Sequence, residues 1–157
     1  MKKKLLTTLG VVVAVGLIIG IIFMNKNDKL SDKAIDHYQA NDSMEIDMTS
    51  VTDFDWDIML VYEHPVTNQD ISQALGIKYT KDLDLCYGMI FVKNGKLVYE
   101  EKFEFSGDKF ETPFKFKIDI DKNLDRHYQV FDKEHAIFNV EEFEFNDSKC
   151  YILTPFE

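Results

Sequence analysis

The chain has 157 residues, 45% of them hydrophobic and 13% aromatic, which is room for one domain of ordinary size with a real core. Its formal net charge is −10, from 18 basic and 28 acidic residues. Residues 1–33 hold six lysines and two aspartates, so 12 basic face 26 acidic residues beyond them, a net of −14; a field of that sign repels phosphate backbones and excludes nucleic acid as a partner.

Leu5 to Met24 is a run of 20 uncharged residues preceded by Lys2, Lys3 and Lys4. At about 1.5 Å per residue in a helix it matches a bilayer core of roughly 30 Å. No small-residue cleavage site follows it, so residues 1–24 read as an uncleaved, single-pass transmembrane anchor. The leading lysines place the N-terminus in the cytoplasm and the remainder outside the cell membrane. Gly16 and Gly20 have the spacing that lets two membrane helices approach closely, the bland reading being glycines that face lipid.

Residues 25–43 are polar and read as a stalk, with a short helix from an N-capping Ser31 to Tyr38. Residues 44–157 read as the extracytoplasmic domain. Met44, Ile46 and Met48 alternate with Glu45 and Asp47; Phe54 and Trp56 alternate with Asp53, Asp55 and Asp57 before the apolar run Ile58–Tyr62. Such patterns predict a half-buried edge leading into a buried strand. Thr67 to Leu75 predicts a helix, with Thr67 as cap, Asp70 three residues on and Gly76 as stop. Asn94-Gly95, between Cys86–Val92 and Leu97–Phe105, predicts a two-residue hairpin turn. Strands follow around Phe110–Ile120, interrupted by Pro113, then at Ala136–Phe145 and Lys149–Thr154. The expected fold is α+β: mainly an antiparallel β-sheet meander with one or two short helices, preceded by a single transmembrane helix.

Phe54-Asp-Trp56-Asp57, the strand after it, Pro65-Val-Thr67, a helix ending in Leu75-Gly76, and Val92-Lys93-Asn94-Gly95-Lys96-Leu97 together form an outline. In these residues, roughly 53–108, the chain resembles small membrane-anchored extracytoplasmic proteins of Gram-positive bacteria. It departs from them at Glu63-His64-Pro65-Val66, where a Gly-Pro-aromatic turn is expected. The resemblance implies an address and no chemistry.

Chemical motifs are few. Asp119-Ile-Asp121-Lys-Asn123-Leu-Asp125 opens like a calcium loop, but Leu124 stands where glycine is needed and Val130 where a closing glutamate is needed. His37, His64, His127 and His135 lack zinc-ligand spacing, and no phosphate-cradling loop or nucleophile elbow occurs, so neither metal nor cofactor is expected. His64, beside Glu63 after a buried strand, is the residue an envelope hydrolase would use; an exposed turn histidine is the plainer reading. Cys86 and Cys150 fit one disulfide or two buried thiols equally well.

The leading expectation is a non-enzymatic binding module for another protein, a basic one, engaged by Asp53, Asp55 and Asp57. An immunity or inhibitor protein acting at the membrane is one concrete version. The alternative is an accessory subunit of an integral membrane complex, contacted through Gly16 and Gly20.

Overall fold

A computed structural model describes residues 29–41, 43–104, 115–145 and 147–156. The anchor segment, Gly16 and Gly20 lie outside the described residues, as do Phe105 and Phe110 to Phe114 of the expected strands. Among the described residues no helix is long and apolar enough to cross a membrane.

The elements in chain order are α1 (Leu30–Asn41), β1 (Glu45–Asp47), α2 (Met48–Val51), β2 (Ile58–Glu63), α3 (Asn68–Leu75), β3 (Cys86–Lys93), β4 (Lys96–Glu104), β5 (Phe116–Ile118), β6 (Tyr128–Phe131), β7 (Ile137–Phe145) and β8 (Ser148–Pro155). They form an α+β fold with mostly antiparallel sheets and few short helices. Two four-stranded sheets, β4-β3-β2-β6 and β1-β7-β8-β5, pack face to face.

Strand β2 is apolar on both faces because it lies inside its sheet with material on either side. Met59 and Val61 point to the inter-sheet core, while Leu60 and Tyr62 point outward beneath α3. Its neighbour β3 is registered Met59 to Phe91 and Leu60 to Ile90. The turn to β4 uses positive φ at Asn94 (50°) and Gly95 (68°), as the hairpin reading expects. The β3–β4 register then shifts: Val92 faces Leu97 but Phe91 faces Tyr99, so Val98 is an extra residue in a bulge.

Helix α3 has the expected ends. The Thr67 side chain accepts from the Asp70 N–H while Asp70 accepts from the Thr67 N–H, and Gly76 closes the helix at φ 64°. Ile71 and Leu75 bury against the outward face of the first sheet.

The second sheet departs from a meander. β7 and β8 form a hairpin, but β1 pairs with β7 from far upstream, and β5 joins β8 in parallel, Phe116 opposite Tyr151. Residues 52–57 keep the expected alternation of exposure without forming a strand, since α2 ends just before them and Trp56 Nε1 donates to Thr52 Oγ1 (3.1 Å). Met44 is 77% exposed, outside the alternation assigned to it.

The stalk expected over residues 25–43 is corrected for its described part. α1 buries Leu30, Ser31, Ala34 and Ile35 against the core shared by both sheets, so it belongs to the domain. Ser31 lies within the first turn and does not cap it. Of the two readings open for Cys86 and Cys150, the structure has the buried thiols, not bonded to one another. Cys86 joins the outward cluster under α3, and Cys150 neighbours the inward-facing Tyr151, so it points away from the core of the opposite sheet. With two sheet layers between them they cannot meet the Cα separation of at most about 7 Å that a bridge needs.

Candidate functional site

Asp53, Asp55 and Asp57 are brought together on the loop entering β2, and each is matched by a lysine from a different element. Lys33 of α1 reaches Asp53 (2.8 Å), Lys93 at the end of β3 reaches Asp55 (3.0 Å) and Asp57 (2.6 Å), and Lys133 reaches Asp55 (2.8 Å). The Asn94 N–H donates to Asp57 as well (2.8 Å). The loop is thus stitched to α1, to the hairpin tip and to the turn after β6.

The lysines hold the acids in the ionised state. Hydrogen bonds from Lys133 and then Lys93 lower Asp55 to about 2. Asp57 is lowered first by the Asn94 N–H and then by Lys93, and Asp53 chiefly by the hydrogen bond from Lys33. All three side chains stay open to solvent, at 67%, 63% and 42% exposure in chain order. Beneath them Trp56 is buried and meets Phe91 edge-on (5.2 Å), while Phe54 stacks on Tyr99 (5.0 Å). Lys133 also lies 5.8 Å over the Trp56 ring. The result is a fixed lattice of alternating charge, not a bare acidic patch.

Two polar groups of the first sheet are not evident in the motif reading. Glu101, 5% exposed on the inward side of β4, accepts from the Ser31 N–H (3.1 Å), the Ser31 hydroxyl (2.5 Å) and the Tyr99 hydroxyl (2.9 Å). Tyr99 in turn accepts from the Leu30 N–H (2.9 Å). On the outward side, Glu100 receives the Tyr79 hydroxyl and the Lys81 ammonium. The one sequence signal for both is a Glu-Glu pair in mid-strand, where one acid must face each side. The fully buried Tyr62 hydroxyl, close to Tyr79, has no hydrogen-bond partner among the described residues, and burial pushes its ionisation far above the ordinary range. Tyr62 crosses Gly88, where an added Cβ would lie 2.8 Å from its Oη and 2.4 Å from the Glu101 carbonyl oxygen.

The remaining candidates do not converge. His64 is exposed on the turn after β2, and its neighbour Glu63 pairs with Lys117 (3.7 Å). In the calcium-like segment, Asp119 pairs with Lys117 (2.5 Å) and Asp121 accepts from the Asn123 N–H and side-chain amide (both 2.9 Å). Among the described residues no group of three or more His, Cys, Asp or Glu is placed to hold a metal ion. A shallow cleft of about 360 Å³ lies between α1 and the β7–β8 hairpin, lined by Tyr38, Gln39, Ser43, Met44, Glu142 and Lys149.

No protein-family model, no curated protein and no solved structure matches this chain.

Proposed function

We propose that the chain is a membrane-anchored, extracytoplasmic binding module whose partner is another protein, engaged at the Asp53–Asp57 loop. The observation that carries this reading is the charge lattice itself. Three ionised carboxylates stand at set positions between three lysines, more than two-fifths exposed, over a buried aromatic brace. A carboxylate bonded to one lysine still has lone pairs to offer, and a surface already ordered loses little freedom on binding. Alternating charge discriminates between partners by matching or clashing with theirs, which suits a specific contact better than uniform acidity would. The lattice is locally neutral, so a partner with a complementary pattern fits better than one that is merely basic.

The uncharged run Leu5–Met24 and its leading lysines support the anchored, domain-out arrangement, as does the resemblance to small anchored envelope proteins. Cross-linking the full-length protein on intact cells tests the proposal. One dominant partner, lost when Asp53, Asp55 and Asp57 are changed together to Asn in a chain that still folds, is the expected result. A partner set indifferent to that change would refute the loop as the site, and protection of the domain from external protease in intact cells would refute the orientation.

A further inference from the structure

We infer that the β4 bulge, Leu97-Val98, is a lipid-contacting surface that seats the domain against its own membrane. The inference rests on the anchored reading above. The uncharged run ends at Met24 and α1 begins at Leu30, six residue steps later. At about 3.5 Å per extended residue the start of α1 therefore lies within about 20 Å of the end of that run. The Leu30 N–H is bonded to the Tyr99 hydroxyl (2.9 Å), so the middle of β4 is held to the same point.

Leu97 and Val98 directly precede Tyr99, and they are 38% and 41% exposed. The other large apolar side chains exposed among the described residues stand singly in the chain, at Met44, Leu85, Val130, Phe145 and Phe156. Leu97 and Val98 are consecutive, and Val98 is the residue that the bulge leaves without a register partner. Lys96 and Lys29 are both exposed, carry no ion pair among the described residues, and stand next to Leu97 and Leu30 respectively. Two apolar side chains with flanking lysines whose stems reach up to headgroups form the composition of an interfacial contact.

The domain's overall negative charge does not oppose this strongly. At physiological ionic strength acids more than about 8 Å from the lipid are screened, and the nearby Asp55 and Asp57 are matched by Lys93. Tethering also makes the contact intramolecular, so a weak contact suffices. The Asp53–Asp57 loop, tied to the same hairpin through Asn94, then meets its partner close to the lipid surface.

The test uses full-length protein reconstituted in vesicles of phosphatidylcholine with a minority of phosphatidylglycerol. An environment-sensitive fluorophore is attached at Val98→Cys, with Glu141→Cys on the other sheet as the reference; Cys86 and Cys150 are buried and stay in place. The expected result is blue-shifted emission at position 98 and quenching by nitroxide lipids well above that at position 141. A probe at Lys96→Cys should lose its quenching when Leu97 and Val98 are both changed to Asp, with vesicle association unchanged. A water-like probe at 98 in a protein that still floats with the vesicles overturns the lipid contact alone. A protein that fails to associate with vesicles overturns the anchor reading instead. Shielding at 98 on cells but not in vesicles assigns the surface to a protein and also overturns the contact.

Discussion

The carboxylate of Glu101 receives both the backbone N–H and the hydroxyl of Ser31, 70 residues away, and so supplies from strand β4 the cap that helix α1 lacks in its own sequence. The first N–H groups of a helix have no internal partner, and a charged acceptor there also suits the helix dipole. Glu101→Ala should strand the buried Ser31 donors and cost about 2–3 kcal/mol. Glu101→Gln, which keeps the shape but not the charge, should cost less, and Tyr99→Phe about 1–2 kcal/mol through the lost Leu30 bond. Urea midpoints at constant slope check the series; equal, negligible shifts would detach α1 from the stability of the domain.

Gly88→Ala is expected to be disproportionately damaging for a single methyl group. The added Cβ meets the Glu101 carbonyl oxygen of the neighbouring strand at 2.4 Å, and backbone cannot swing aside as a flexible side chain would. A loss of about 1–3 kcal/mol follows from the forced displacement. Thermal denaturation of the variant alongside Gly88→Ala combined with Tyr62→Phe separates the causes. If removing the Tyr62 hydroxyl restores stability, the side chain and not the strand was the obstacle.

The lattice should leave a mark in the pH dependence. Asp55 titrates near 2 in the folded chain against an ordinary 3.8 when unfolded. A folded value below the unfolded one means the ionised acid favours folding at all pH above about 4, and that this contribution fades as pH falls from about 4 toward 2. An NMR titration of the Asp55 side-chain carbon should show the low midpoint, and Lys133→Met should move it back toward the ordinary value. An unchanged midpoint in Lys133→Met would contradict that pairing.

Cys86 and Cys150 should be silent in the native state. They lie on outward faces of opposite sheets, and burial raises the Cys150 thiol above its usual range, leaving little thiolate to react. A chromogenic disulfide reagent should therefore label neither thiol until denaturant is added, then both. The unfolding midpoint should be the same with and without reductant. A midpoint that drops with reductant would indicate a bridge.

What the chain discloses in advance is local chemistry. The Thr67/Asp70 capping box and the Asn94-Gly95 turn each act over a few residues, and both stand where the sequence pattern puts them. The apolar β2 reads correctly for the same reason. Pairings between distant segments carry no local sign: Phe116–Ile118 could have met any strand, and only the packed structure sets it parallel to β8. Tyr128–Phe131 is too short and mixed to stand out. α1 looks like a solvated stalk because its polar residues find partners in Glu101, Asp53 and Tyr151, far along the chain. Asp53, Asp55 and Asp57 were legible as a cluster. Their neutralisation was not, since Lys33, Lys93 and Lys133 are dispersed over a hundred residues of sequence.

The place of β8 sets the order in which the domain can be assembled. Strand β8 lies inside its sheet, between β7 and β5, and among the described residues β5 has no other strand beside it. Until β8 arrives, β5 has no ladder to join and the core lacks Tyr151 and Leu153. A chain emerging N-terminus first can form the β2–β3–β4 sheet early, but the second layer waits for β8. The second sheet is thus incomplete until β8 has been made, which keeps a partly built domain open and available to chaperones. A chain stopped at Asp147 should lose its cooperative unfolding transition, not merely one strand, and calorimetry would show it.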